Sequence, residues 1–299
     1  MSNNGCFFTF YTLTPLHAGA GDSAGAIDLP VQRERHTEYP VVHSSGMKGS
    51  LRDFFERKAA SLEGASRDEE RRKIETIFGK EGDEQGSGKV IFTDAKILLF
   101  PVRSSEGVFK WITCPFVIER LKSDLKLIGI SICDVSAAEN TAFKEYQNII
   151  LEDFSVSASD CSASSASLLN FLKSLTVPHF AEDILKERIV IVSDDLFKTL
   201  VTTATQIIAR NVLENETKKS KSLWYEEVVP ADVLFYTIML PAYRGNTAID
   251  NLETGVNGEV LQIGGNETIG YGIVKWSNEL TDALGTRATQ GNQTQGGGT

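Results

Sequence analysis

The sequence predicts an α+β domain built on a ferredoxin-like sheet, and three observations carry that reading. Runs rich in aromatic and β-branched residues stand near both ends of the chain, at 6–16, 89–102, 233–240 and 260–276. Two segments, from Ser44 or Ser45 and from Ser193, carry apolar residues at helical spacing behind a capping serine. The resulting order is β–loop–α–β–β, an insertion, then α–β–β.

The first strand, CFFTFYTLTPL (6–16), is apolar enough to be buried on at least one face. His17–Pro40 follows, about 24 residues crowded with glycine, and unstructured stretches of that length inside a domain tend to be functional or mobile. The first helix carries Leu51, Phe54 and Phe55 on one face and ends near Ala60. Its early turns hold Lys48 and Arg52 rather than acids, so a negative group is expected beside them. Glu63–Lys73 reads as a charged segment, Ile74–Phe78 as a short apolar turn, and GKEGDEQGSG (79–88) as a loop. Lys89–Val102 alternates as a strand and Trp111–Ile118 extends the sheet. Residues 119–180 are less regular, and SVSASDCSASSAS (155–167) reads as a surface excursion. The second helix is expected over DDLFKTLVTTATQIIA (194–209), with Leu196, Leu200, Thr203 or Ala204, and Ile207 in register. A hairpin over 210–230 with a basic tip of Lys218, Lys219 and Lys221 follows, then the strand Val233–Leu240 and a strand–turn–strand unit over 260–276. Residues 281–299 are polar and rich in Gly and Gln, the composition of a disordered tail.

With 299 residues, 41% hydrophobic and 23% charged, the chain suits one elaborated domain or two small ones, and its mean hydropathy of −0.13 excludes fibrous, disordered and membrane classes. Cys6, Cys114, Cys133 and Cys161 lie far apart without a CxxC pair, which fits buried reduced thiols rather than zinc or redox chemistry. The sequence MSNNGCFFTFYTL has no basic leader and no run long enough to span a bilayer, so the expected location is cytoplasmic, with no membrane partner. The formal charge of −10 taken alone argues against a nucleic-acid partner.

Three segments change that balance. They are, toward the start of the chain, HAGAG (17–21), IDLPVQRERHT (27–37), and Pro40 with SSGMKGSLR (44–52), and they are joined by a fourth, the distal GGNETIGYG (264–272). Lys48 and Arg52 are four apart and share a helical face where backbone N–H groups also emerge, which suits a phosphate, although a solvated basic face would look the same. Four glycines in nine residues exceed what a hairpin turn requires and let backbone approach an anion. Asp28 before Leu29-Pro30 reads on its own as a turn or cap residue.

Together these motifs resemble the RAMP superfamily and, within it, the backbone subunit of the Cmr complex, the type III-B CRISPR effector. The likeness brackets residues 6–276; the DLP-Q-RERHT run is the specific part and the glycine-rich loop is shared more widely. Where the family carries a glycine ahead of its paired serines, His43 stands here, while Lys48 and Arg52 keep their spacing. The resemblance implies a ferredoxin-like/RNA-recognition-type palm with inserted finger and thumb regions. It implies a single domain over 1–280, with its core at about 6–118 and 190–276, an insertion at about 119–189 and a thumb-like hairpin at about 210–230.

It also implies a repeated subunit of a filament along guide RNA, with other Cmr subunits as partners, that cuts complementary single-stranded target RNA at regular intervals. Guide contacts would fall to Ser45, Lys48 and Arg52, and to Gly264, Gly265, Gly270 and Gly272. Asp28 would be the catalytic residue, either holding a divalent metal or acting as a base, with Mg²⁺ implied; no carboxylate cluster describes a fixed site, and RNA and water would supply the other ligands. His17 could act as an acid or phosphate contact, or cap the first strand. Arg33, Arg35 and His36 would place positive charge beside the scissile phosphate, or be a solvated loop. Glu226 and Glu227 match an acidic pair of the thumb region, or are hairpin surface charge. A non-cutting filament scaffold and a guide-processing endoribonuclease are the alternatives. Residues 30–73 hold ten Lys and Arg against eight Asp and Glu, so the basic groups gather where RNA would lie and the overall acidity no longer excludes it.

Overall fold

β1 (Cys6–Thr12) is buried along its whole length because it lies inside a sheet covered on both sides. Its neighbours are β12 (Leu234–Pro241) and β14 (Ile273–Ser277), both antiparallel. Register explains the aromatic content of the strand: Phe10 faces Phe235 with rings 5.1 Å apart and meets Trp276 at 5.2 Å, while Phe7 stacks on Tyr236 at 5.9 Å. Such pairs add to burial energy and fix strand order. The computed structural model describes residues 5–278 apart from 24, 81–85, 133–134, 163–165, 177–184, 186 and 244. The expected tail at 281–299 and Cys133 therefore lie outside the described residues.

The sheet runs on from β12 through β4 (Ala95–Arg103) and β5 (Phe109–Thr113), with β2 (Val41–Val42) on β4 and β3 (Val90–Phe92) on β12. At the other edge β13 (Val260–Gln262) pairs with β14. α1 (Ser44–Ala60) packs on α2 (Gly64–Phe78), and α2 on α6 (Ala248–Val256). Met47, Leu51, Phe55 and Ala59 recur every four residues as the buried stripe of α1. The Phe55 ring fills the space where Gly255 lacks a side chain; a Cβ there would lie 2.4 Å from it.

Several expectations change. The charged segment and apolar turn of 63–78 are one helix, α2 (Gly64–Phe78), in which Ile74, Ile77 and Phe78 are the buried residues, so the earlier turns are mostly polar and lack a buried stripe. Trp111–Ile118 is not a single strand: β5 ends at Thr113, and Pro115 opens α3 (Pro115–Leu127), a position where its missing N–H costs nothing. Residues 119–180 are more regular than expected. They contain the rest of α3, β6 (Thr141–Ala142), β7 (Tyr146–Leu151), β8 (Phe154–Asp160) and α4 (Ala166–Thr176). The serine run is partly β8, with Val156 and Ala158 turned inward between exposed serines. Through β9 (Ile189–Ile191), parallel to β5, this region continues the same sheet in the order β9-β6-β8-β7.

The second helix, α5 (Asp194–Thr203), is capped by Ser193, whose side chain accepts the Leu196 N–H at 3.3 Å. It stops six residues early. Thr202 and Thr203 bond back to Lys198 and Thr199 carbonyls, and the β-branched residues beyond pair as β10 (Gln206–Leu213) with β11 (Ser220–Val228). Ile207, expected on the helix, is exposed on β10. The two-stranded β10–β11 hairpin thus spans 206–228 and forms a sheet of its own. Cys6, Cys114 and Cys161 are buried, and burial pushes the Cys114 thiol up to about 12, which removes it as a nucleophile. Among the described residues no helix is long and apolar enough to cross a membrane.

Candidate nucleic-acid interface

The 17–40 segment is neither helix nor regular strand, yet it is held in place. Its two arms bond to each other: Ala20 N–H to Pro30 O at 2.9 Å and Gln32 N–H to Ala18 O at 2.7 Å. The Gln32 amide adds two cross-links, donating to Gly19 O at 3.0 Å and accepting the His43 N–H at 2.8 Å. The loop is thereby tied to the start of α1.

Both candidate catalytic residues hang on the backbone of β11. Asp28 is exposed, and its Oδ2 accepts the Tyr225 N–H at 2.8 Å. Leu29 then continues beside the strand, its N–H donating to Tyr225 O at 3.1 Å and its carbonyl accepting the Glu227 N–H at 3.0 Å. His17, only 8% exposed, donates from Nδ1 to Glu227 O at 2.7 Å, which turns the other ring nitrogen, Nε2, away from that carbonyl. Gly19 leaves room beside that nitrogen, since a Cβ there would lie 2.8 Å from Nε2. The anchoring points at 225 and 227 are two residues apart on one strand, about 7 Å. The second hairpin strand is therefore the common template for both groups.

Glu226 and Glu227 are 4% and 3% exposed, so they are not surface charge of the hairpin. Glu227 accepts from Arg33 Nη2, from Thr205 Oγ1 at 2.7 Å and from the Val31 N–H at 3.1 Å. Glu226 accepts from Trp224 Nε1 at 2.9 Å, Arg210 Nε at 3.1 Å and Asn266 Nδ2 at 2.9 Å. Desolvation raises the Glu226 pKa, but these donors, with the charges of Arg210 and His17, outweigh it and hold the carboxyl below its usual value. One acid joins the hairpin to the long loop and the other joins it to the glycine-rich loop. Arg33 is part of this framework, since Nη1 also donates to Glu38 O at 2.8 Å and Val201 O at 3.2 Å. Arg35 and His36 are exposed at the apex of a turn, without partners among the described residues.

On α1 the N-cap residue is His43, and no side-chain cap comes from Ser44 or Ser45. Asp94 lies at the start of the helix, its Oδ1 accepting the Ser44 N–H at 2.7 Å. Ser45 is exposed, Lys48 is half-buried without a partner among the described residues, and Arg52 Nε pairs with Glu56 at 2.7 Å.

The glycine-rich loop differs from the expected anion cradle. The N–H groups of Gly265, Gly270, Tyr271 and Gly272 donate to His17, Glu267, Asn266 and Pro15 carbonyls. Gly264 and Gly272 are dictated by packing: a Cβ would stand 2.4 Å from His17 O and 1.8 Å from Ile263 O, at φ of 84° and 71°. Gly265 meets only ordinary contacts and is exposed. The loop is tied to α1 by Arg57, which pairs with Glu267 at 2.6 Å.

Among the described residues no three His, Cys, Asp or Glu side chains are grouped to hold a metal. Asp28 offers one carboxylate with Oδ2 already engaged, so the donor set does not make a fixed divalent site.

The buried Glu226–Glu227 framework was not evident from composition or spacing; the matching acidic pair was its only signal. Comparison with known proteins agrees with the motifs. The family model of the RAMP superfamily matches residues 9–275. The CRISPR system Cmr endoribonuclease Cmr4 of Pyrococcus furiosus is 39% identical over 295 residues, covering 93% of this chain and 97% of its own length. The CRISPR system CMR subunit Cmr4 of Saccharolobus solfataricus is 23% identical, over 91% of this chain and 96% of its own. The crystal structure of oligomeric Cmr4 from Pyrococcus furiosus superposes with a TM-score of 0.71 at 32% identity, covering 93% of this chain and 98% of that one. From β1 to β14, the chain belongs to the RAMP superfamily and, within it, to the family of the Cmr4 proteins.

Proposed function

We propose that this chain is the repeated backbone subunit of a type III-B CRISPR ribonucleoprotein, binding guide RNA and cutting complementary target RNA at Asp28. Its partners are guide RNA, single-stranded target RNA, further copies of itself and other Cmr subunits. The observation that carries the reading is the exposed Asp28 carboxylate, held on the hairpin strand by the Tyr225 N–H with Oδ1 left without a partner among the described residues. Its relative from Pyrococcus furiosus is named an endoribonuclease, and the crystal structure of Cmr4 from that organism is of an oligomeric form.

Cleavage by a ribose 2′-OH needs that hydroxyl oriented, an in-line approach to the phosphorus, and relief of charge on the phosphorane. Asp28 Oδ1 would accept the hydroxyl proton's hydrogen bond, while Arg35 and His36 would supply positive charge near the phosphate. His17, nearly buried, would act as a positioning residue that fixes the loop arm to Glu227. Ser45, Lys48 and Arg52 would carry the guide backbone, with Gly265 as the open point of the distal loop. Sequence is read by base pairing, so the protein needs only backbone and shape. We further propose that cutting requires a divalent ion such as Mg²⁺, tested by chelation and replenishment.

The test is a reconstituted complex given matched target RNA, beside the free subunit given repeat RNA. Evenly spaced cuts by the complex and none by the free subunit are expected. Target binding without cuts would favour the scaffold, and cutting of repeat RNA by free protein would favour guide processing.

A further inference from the structure

Among the charged side chains of α3, Arg120 and Asp124 stand one turn apart. Asp124 fixes the helix to the sheet, accepting from Lys96 Nζ on β4 at 2.7 Å and from the Tyr236 hydroxyl on β12 at 2.9 Å. Arg120 holds the long loop. Its Nη1 donates to both oxygens of Glu34, at 2.8 and 2.7 Å, with each side chain 12% exposed. The guanidinium also lies over the rings of Tyr39 and Phe116, at 5.8 and 5.4 Å. An arginine so placed is fixed in orientation by its charge partner and by the rings together.

Glu34 opens the turn that carries the exposed residues Arg35 and His36. Its N–H donates to Tyr39 O at 2.9 Å, its carbonyl accepts the Glu38 N–H at 2.8 Å, and its carboxylate accepts the Thr37 hydroxyl. Glu38 takes a positive φ of 63° to close the turn. The Glu34 backbone and carboxylate are thus all bonded, whereas Arg35 and His36 project without partners among the described residues.

We propose that Arg120 is a positioning residue for the target strand: through Glu34 it fixes the turn that sets Arg35 and His36 against an RNA phosphate. This rests on the reading of Asp28 and its loop as the target-facing site. Removing one member of a buried pair leaves the other charge uncompensated, so the turn would relax and the Arg35 and His36 side chains would lose their place.

The experiment uses the reconstituted complex with Arg120→Met, Glu34→Gln, Arg35→Ala and the double variant Arg120→Met/Arg35→Ala. Target affinity is measured against salt, and cutting is measured in single turnover at saturating target. Arg35→Ala should lower the log–log salt slope by about one, as loss of one phosphate contact does. Arg120→Met should reproduce that loss and slow cutting at least about ten-fold, and Arg35→Ala should then add less than about two-fold, because coupled residues are not additive. Glu34→Gln, which leaves Arg120 between its rings, decides the matter if Arg120→Met fails to assemble, and it should show the same slope loss. A wild-type slope in Arg120→Met or in Arg35→Ala, or full additivity in the double variant, overturns the proposal. Asp28→Asn in the same assay separates the two levels: wild-type cutting by that variant would end the site reading, whereas the salt slopes report on Arg120 without any cutting.

Discussion

The α1 face and the 17–40 loop both belong to the proposed RNA surface, and they are built in opposite ways. On α1, Ser45 is exposed, Lys48 has no partner among the described residues, and Arg52 has only the i,i+4 partner Glu56. On the loop, Gln32, Arg33, Glu34 and His17 are all bonded inside the protein, and Asp28 is pinned through Oδ2. Binding a polyanion needs charge that can reach phosphates in many positions, and exposed side chains with weak partners provide it. Cutting needs one group in one place, which a loop achieves only when its other polar groups hold it there. A segment whose glycine content reads as mobility is thus among the more cross-linked parts of the molecule.

That contrast can be broken first at Glu227. Glu227→Gln leaves Arg33 facing a neutral amide and should cost roughly 3–5 kcal/mol of stability, with target cutting falling far more than guide binding; thermal melts and single-turnover assays check both. Gly264→Ala comes next, at roughly 2–5 kcal/mol, because the methyl group meets the His17 carbonyl at positive φ. Gly265→Ala in the neighbouring position should melt like the parent. On the α1 side, Lys48→Ala and Arg52→Ala should weaken guide binding and each lower its salt slope by about one, leaving the melt unchanged. The smallest effect concerns pH. The Glu226 carboxyl is depressed in the folded protein, so its stabilising contribution is present above the ordinary value of 4.5 and is lost as pH falls through the lower folded value. Melting temperature measured down the acid limb should therefore fall less steeply in Glu226→Gln.

Much of the palm was legible because its signals are local. CFFTFYT and the 89–102 run carry strand composition, although the single strand expected over 89–102 is broken at Thr93 and Asp94 into β3 and β4, and Leu51 and Phe55 carry helical spacing. The helix–hairpin boundary was not, because TTATQIIA satisfies a helical period and a β-branched preference alike, and the strand is selected by pairing with β11 downstream. The α1 cap was misplaced on serine because its real partner, Asp94, lies fifty residues away in sequence. The motifs located the candidate site, but its framework pairs Arg33 with Glu227 and Glu34 with Arg120 over 194 and 86 residues. Side chains that distant leave no periodicity to read, and sequence alone left Glu226 and Glu227 open between surface charge and function.

The most direct measurement is single-turnover cleavage of matched target RNA by the reconstituted complex carrying Asp28→Asn, read beside target affinity. The amide keeps an oxygen for the Tyr225 N–H but has no negative charge to orient a hydroxyl. Cuts should disappear at every spaced site while affinity stays within about two-fold of the parent complex. The same ladder of cuts at the parental rate would contradict Asp28 as the catalytic residue.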